Sequence, residues 1–117
     1  MDIQKIGIVG AGQMGNGIAH VMALAGYDVL LNDVSADALA KAMKTVTGNM
    51  DRQVSREKIT AADRDAAMAR ITTTQTLSDL GQSDLVIEAA TERETVKQAI
   101  FEDLIPHLKP PTILTSN

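Results

Sequence analysis

The sequence predicts an α/β protein, a doubly wound parallel sheet with a helical hairpin between its second and third strands. Three observations carry this. Short apolar runs alternate along the chain with segments of helical period, the order that buries parallel strands between layers of helix. The first run ends in Gly10-Ala11-Gly12-Gln13-Met14-Gly15. The second ends in an acid, Asp33, about twenty residues farther on. The 117 residues suffice for one domain, and no repeat, linker or low-complexity tract divides them.

Ile3, Ile6, Ile8 and Val9 make Ile3–Val9 a short buried strand, interrupted by Gly7 and flanked by the glycine cluster. From Gln13 the period changes. Met14, Ile18, Val21, Met22 and Ala25 recur at three and four, giving a helix that Gly26 closes as a left-handed cap. Tyr27–Asn32, centred on Val29, Leu30 and Leu31, is the second strand, so strand, turn, helix and strand form a right-handed crossover. Ser35 caps a helix with an apolar stripe of Leu39, Met43, Val46 and Met50, which Gly48 weakens without ending. Thr60 and Asp63 form a capping pair before a short alanine-rich helix reaching about Arg70.

A third strand follows near Ile71–Thr74. The connection leading to it is far longer than a crossover needs, and the surplus is expected to stand out from the sheet as the helical hairpin. Asp84–Ala89 is the fourth strand, around Leu85, Val86 and Ile87. Thr91 and Glu94 box the start of a helix with Val96, Ile100, Phe101, Leu104 and Ile105 on one face. Pro106, Pro110 and Pro111 then clear the chain for a last strand, Thr112–Thr115.

Composition narrows the function. Eleven basic against fifteen acidic residues leave a net charge of -4, without the basic surface that nucleic acid requires. An aromatic fraction of 2% argues against stacking on single-stranded bases. With no cysteine there is no disulfide, thiol nucleophile or thiolate metal site, and two separated histidines are too few for a metal centre. No apolar run is long enough to cross a bilayer, and the N-terminus enters a strand-like pattern instead of a signal or transit peptide. The expectation is a cytoplasmic, soluble domain with no nucleic-acid or membrane partner. Its chemistry has to come from backbone, carboxylates or a borrowed cofactor.

The glycine turn supplies the cofactor. Gly10 permits the tight turn out of the strand, Gly12 lets a pyrophosphate approach the backbone, and Gly15 lets helix and strand pack closely. The helix start, Ala11, Gln13 and Met14 included, offers free N–H groups and the positive end of a dipole. Three glycines alone are a weak signal; the strand before them, the helix after them and Asp33 beyond make the Rossmann dinucleotide reading specific. Asp33 is expected to accept hydrogen bonds from the adenosine ribose and to repel a 2′-phosphate, with no arginine at Val34 or Ser35 to compensate. The cofactor is therefore NAD rather than NADP. The plainer reading of Asp33, an acid at a helix start, also fits its place before Ser35.

Gly10 to Gly15, continued by Asn16-Gly17-Ile18-Ala19, resembles the opening of the 3-hydroxyacyl-CoA dehydrogenases, particularly the bacterial 3-hydroxybutyryl-CoA type. Asp84-Leu85-Val86-Ile87-Glu88-Ala89-Ala90 is similar to the same family, as are Glu92, Lys97 and Phe101, and Thr115-Ser116-Asn117 resembles the start of its Ser-Asn-Thr-Ser stretch. The resemblance implies hydride transfer between (S)-3-hydroxyacyl-CoA and NAD. It places Ala90, Glu92, Lys97 and Asn117 with the glycine turn and Asp33 around the cofactor. It also implies that the hairpin contacts CoA. Asn49 and Arg56 stand where the family commonly has a serine and a lysine, and Lys41, Lys44, Arg52, Arg56 and Lys58 outnumber Asp51 and Glu57 there. A solvated helical face would show the same charges. His20 and His107 match no catalytic histidine of the family, and no catalytic residue is assigned to these 117 residues. The family's histidine, paired with a glutamate, and the all-helical domain that forms its homodimer are expected beyond Asn117, so the chain alone is expected to be inactive. A free-standing NAD-binding or sensing module, or a relative acting on non-CoA hydroxy acids, is the alternative.

Overall fold

A computed structural model describes residues 3–89 and 113–116. Within them the chain runs β1 (Lys5–Val9), α1 (Gln13–Leu24), β2 (Asp28–Asn32), α2 (Ala36–Ser55), α3 (Ala61–Arg70), β3 (Ile71–Thr74), a 3-10 helix (Leu77–Gln82), β4 (Leu85–Glu88) and β5 (Ile113–Ser116). The strands form one sheet in the order β3-β2-β1-β4-β5, every neighbouring pair parallel. The doubly wound sheet read from the alternation of elements is the one that forms. Its order reverses between β1 and β4, and the register aligns the carboxyl ends there. Thr74 lies beside Asn32, Asn32 beside Val9, Val9 beside Glu88 and Glu88 beside Ser116.

Alternate strand residues serve opposite layers. Ile6, Ile8, Val29, Leu31 and Ile71 face the helices and share a core with Ala19, Ala23, Leu39, Ala42, Val46, Met50 and Ala67. On the other face Val9 and Val86 pack with Leu80 of the 3-10 helix. That helix was not legible in the sequence. It explains Gly7, where a Cβ would lie 2.6 Å from Ser83 Oγ and 3.0 Å from Leu80. The interruption in β1 is room for the 3-10 helix.

The inward face of α1 differs from the one its apolar period suggests. Gly15, Ala19 and Ala23 are its buried residues, while Met14 and Val21 are 44% and 61% exposed. Distance is the cause. Small side chains let the helix lie close on the sheet, and larger ones on the Met14–Val21 side are turned out. Gly26, with φ 103°, follows the end of α1 as expected.

The helical hairpin forms with the caps the sequence indicates. Ser35 Oγ accepts from Ala38 N at 3.1 Å. Thr60 Oγ1 accepts from Asp63 N at 3.0 Å, and Asp63 Oδ2 accepts from Thr60 N at 3.1 Å. It does not stand clear of the sheet, however. The stripe of α2, Leu39, Ala42, Val46 and Met50, is buried, each of the larger side chains contributing about 1.5–3 kcal/mol. His20 Nε2 and Gln53 Oε1, 2.7 Å apart, bind α1 to α2. An exposed stripe of that size would leave the hydrophobic term unsatisfied, so the hairpin lies against α1. Met43 is only half-buried, and Ala42 takes its place in the stripe.

Strand limits shift where backbone pairing sets them. β1 starts at Lys5 instead of Ile3, β2 at Asp28 instead of Tyr27, and β4 spans Leu85–Glu88 within the expected Asp84–Ala89. β5, described over Ile113–Ser116, runs one residue past the expected end at Thr115. The helix expected from Thr91 to Ile105 and His107 lie outside the described residues.

The α3 cap carries a pH signature. Hydrogen bonds from the Thr60 backbone, then from its side chain, hold the Asp63 carboxyl below its ordinary value of 3.8. A depressed carboxyl stabilises the fold above the unfolded value, and that contribution is lost as pH falls through the folded one. Asp63→Ala should lower the melting temperature at pH 7, and the gap to the parent should close as the pH is taken below 3.8; a gap that persists unchanged in acid would refute this role.

Candidate functional site

The carboxyl edge between β1 and α2 is where the chemistry-bearing residues meet. Gly10 leaves β1 with φ 103°, a conformation that glycine adopts without strain, and its N–H donates to the Asn32 carbonyl at 2.7 Å. A Cβ on Gly15 would come within 1.7 Å of the Gly10 carbonyl oxygen. The helix therefore meets the strand end backbone to backbone.

Gly12 has a different reason to be bare. It is the N-cap of α1 in an extended conformation (φ −67°, ψ −165°), without a side-chain cap and with no acid in the first turn. A Cβ there would meet nothing within 4 Å. Among the described residues no packing asks for glycine at this position. An uncapped helix start presents N–H donors and a positive dipole end, so the open space beside Gly12 suits an anion lying against main chain.

Asp33 faces this turn. Its Oδ2 accepts from Ala11 N at 3.0 Å and its Oδ1 from Ser35 N at 2.9 Å. Asp33 N in turn donates to the Thr74 carbonyl at 3.2 Å. The plainer reading, an acid at the start of α2, is thus realised through Ser35. The carboxylate also clasps the glycine turn. An ionised carboxylate offers about four acceptor positions, and these two N–H donors leave others for a ligand's hydroxyls.

A cleft of about 470 Å³ opens between the turn and α2, with Ala11, Gly12, Gln13 and Asn16 on one wall and Ala38, Lys41, Ala42 and Thr45 on the other. Lys41 is the one charged residue in that lining. Val34, immediately after Asp33, is 85% exposed, with its carbonyl held by Gln75 Nε2 at 3.0 Å. Neither Val34 as an apolar surface nor Lys41 and Thr45 as cleft wall was singled out from sequence. The signal for the latter was present in the spacing of 38, 41, 42 and 45, one side of a helix.

Asn49 and Arg56 fall on the same helix. Asn49 is half-buried, and Arg56 is exposed at the C-cap of α2. Lys41, Thr45, Asn49, Arg52 and Arg56 recur at four, four, three and four, so the cleft wall continues along α2 into both. Asp51 faces away from this stripe, toward α3, where Arg64 Nη1 pairs with it at 3.1 Å. Ala90, Glu92, Lys97 and Asn117 lie outside the described residues.

Elsewhere, a cavity of about 240 Å³ lies against the other face of the sheet, lined by Lys5, Asp28, Arg70 and Asp79 among others. Its charges are mixed in sign. Among the described residues no cluster of histidine and acidic side chains could hold a metal ion, and no helix is long and apolar enough to cross a membrane.

Residues 5–117 match the family model for the NAD binding domain of 3-hydroxyacyl-CoA dehydrogenase. A 3-hydroxybutyryl-CoA dehydrogenase of Bradyrhizobium diazoefficiens is 54% identical over 115 residues, covering 98% of this chain and 39% of that protein. A 3-hydroxyadipyl-CoA dehydrogenase of Escherichia coli is 39% identical over 117 residues, which make up 25% of its length. The crystal structure of (S)-3-hydroxybutyryl-CoA dehydrogenase from Ralstonia eutropha superposes with a TM-score of 0.95 at 41% identity, over 99% of this chain and 41% of that one. This chain thus spans well under half the length of the relatives it matches.

The two glycines should separate packing from binding. Gly15→Ala should cost about 3 kcal/mol or more in denaturant unfolding, the upper end for overpacking against backbone. Gly12→Ala should stay within about 0.5 kcal/mol of the parent while NAD affinity, measured by calorimetry, falls severalfold. Equal loss of stability in both would contradict the division.

Proposed function

This chain belongs to the 3-hydroxyacyl-CoA dehydrogenase family, as its NAD-binding domain, and we propose that it holds and orients the cofactor of an enzyme interconverting (S)-3-hydroxyacyl-CoA and 3-oxoacyl-CoA. The observation that carries this is the space beside Gly12, bounded by an uncapped helix start and the Asp33 carboxylate. The N–H groups from Gly12 to Met14 would receive the pyrophosphate, while the Ala11 N–H is held by Asp33. The adenosine ribose hydroxyls donate to the open acceptor positions of Asp33, and Val34 gives the adenine an apolar surface. Val34 and Ser35 bring no positive charge for a 2′-phosphate, which supports NAD over NADP.

When bound, NAD supplies the hydride acceptor. Besides that acceptor for the hydride of C3, the oxidation would need a base for the hydroxyl proton, the two losses together leaving the ketone. The base is proposed to come from the part of the relatives' length that this chain does not match. Ala90, Glu92, Lys97 and Asn117 are assigned to the nicotinamide side, and Asn49 and Arg56 to CoA. The short 3-hydroxybutyryl chain is the substrate we favour, from the name carried by the 54% identical relative. The same reading gives the parent enzyme a homodimeric, cytoplasmic life in fatty-acid β-oxidation.

Calorimetry of this chain should detect NAD at least tenfold more tightly than NADP, about 1.4 kcal/mol. Asp33→Arg should narrow that ratio, and it should also destabilise the fold, because arginine cannot accept from Ala11 and Ser35. With acetoacetyl-CoA and NADH the chain alone should turn over little or nothing. An unchanged cofactor ratio in the variant, or robust turnover by these residues alone, would count against the assignment.

A further inference from the structure

The side chains on α2 beyond the cofactor cleft carry a further step. Arg52 and Asn49 are one turn apart, and the guanidinium donates through Nη2 to Asn49 Oδ1. A guanidinium has no acceptor, so the bond dictates which way the Asn49 amide points. Its oxygen faces Arg52, and its two N–H donors are turned elsewhere. Gly48 belongs to the same arrangement. Glycine inside a helix costs about 1 kcal/mol relative to alanine. A Cβ there would lie 3.9 Å from Arg52 Nη1 and meet no other atom within 4 Å. The helix surface at Gly48 is thus bare beside the guanidinium, which a Cβ there would meet only at ordinary contact distance.

The electrical setting is one-sided. Lys41, Thr45, Asn49, Arg52 and Arg56 run along one side of α2 with no acid among them. Asp51, the neighbouring carboxylate, is engaged by Arg64 on α3. The donors left on Asn49 and Arg52 therefore face a strip with positive charge on both sides. Oxyanions of a phosphate are the chemistry that such donors accept best.

We infer that Arg52 is a positioning residue for the substrate's phosphates: it fixes the Asn49 amide so that its N–H groups, beside the guanidinium, donate to the phosphate-bearing end of acyl-CoA. The inference rests on the acyl-CoA reading proposed above. It also gives a reason for asparagine at this position, where a side chain able to donate is available only if the amide is held the right way round. Arg52 acts partly through Asn49, so removing it should cost more when Asn49 is present than when it is not.

The test is a calorimetric cycle on the whole protein, with CoA and phosphate-free pantetheine as probes and NAD as the control for an intact fold. Arg52→Gln should weaken CoA about tenfold, the scale of a lost hydrogen bond to a charged group, and leave pantetheine and NAD unchanged. Arg52→Lys keeps the charge but not the planar fork, and should restore only part of the loss. In an Asn49→Ser background Arg52→Gln should cost no more than about threefold, the interaction between the two positions appearing as non-additivity. Full restoration by lysine with additive losses would overturn the positioning role while leaving the substrate reading in place. Absence of CoA binding by the parent protein, with NAD binding intact, would overturn both.

Discussion

The approach of α1 to the backbone of Gly10 is the constraint on which the rest of the molecule depends. A helix can come this close to a strand end only if nothing projects between them, and at Gly15 nothing does. Proximity there dictates the rest of the helix. Its inward positions become Gly15, Ala19 and Ala23, while Met14 and Val21 are turned to solvent. The same proximity brings the first helical N–H groups to the carboxyl edge of the sheet, where strand register has already gathered Val9, Asn32, Thr74 and Glu88. The uncapped helix start at this edge is thus a by-product of close packing, with no cationic side chain in the turn itself.

Asp33 connects that edge to α2. Its two oxygens take N–H groups from the glycine turn and from the start of the hairpin, so one side chain ties the cofactor loop to the helix that forms the opposite wall of the cleft. The clasp and the proposed ribose contact would use the same carboxylate, so a substitution made to change cofactor preference would also disturb this joint of the fold. From that joint, α2 runs for twenty residues. Its first turns line the cofactor cleft and its later ones carry Asn49, Arg52 and Arg56. In the proposed reading a single helix would therefore present surfaces to both the dinucleotide and the substrate's nucleotide end.

The legible parts of the sequence were local. Glycine placement, the Ser35 cap, the Thr60–Asp63 capping box and the apolar runs of the strands all act within a few residues, where propensity and hydrogen bonding decide. They gave the order of the described strands and α-helices, and the tight turn at Gly10. The readings that failed depended on distance between elements. Helical period alone puts Met14 and Val21 on the apolar side of α1. It cannot know how near the sheet will be. A long connection looks like a projecting hairpin until α1 is there to receive Leu39, Val46 and Met50. The 3-10 helix has too few residues for a period, and only its contact with Gly7 gives it away.

By itself the sequence determined that a parallel sheet would form, that its first turn would be bare of side chains, and that an acid would stand at the end of the second strand. These follow from residue type and spacing, which no tertiary contact can change. Only the tertiary structure decided that Asp33 grips the turn as well as facing the cleft, and that Lys41 and Thr45 form the cleft's far wall. Each depends on which side chain arrives beside which backbone once the layers have packed, and that is decided by the closeness of the helices to the sheet.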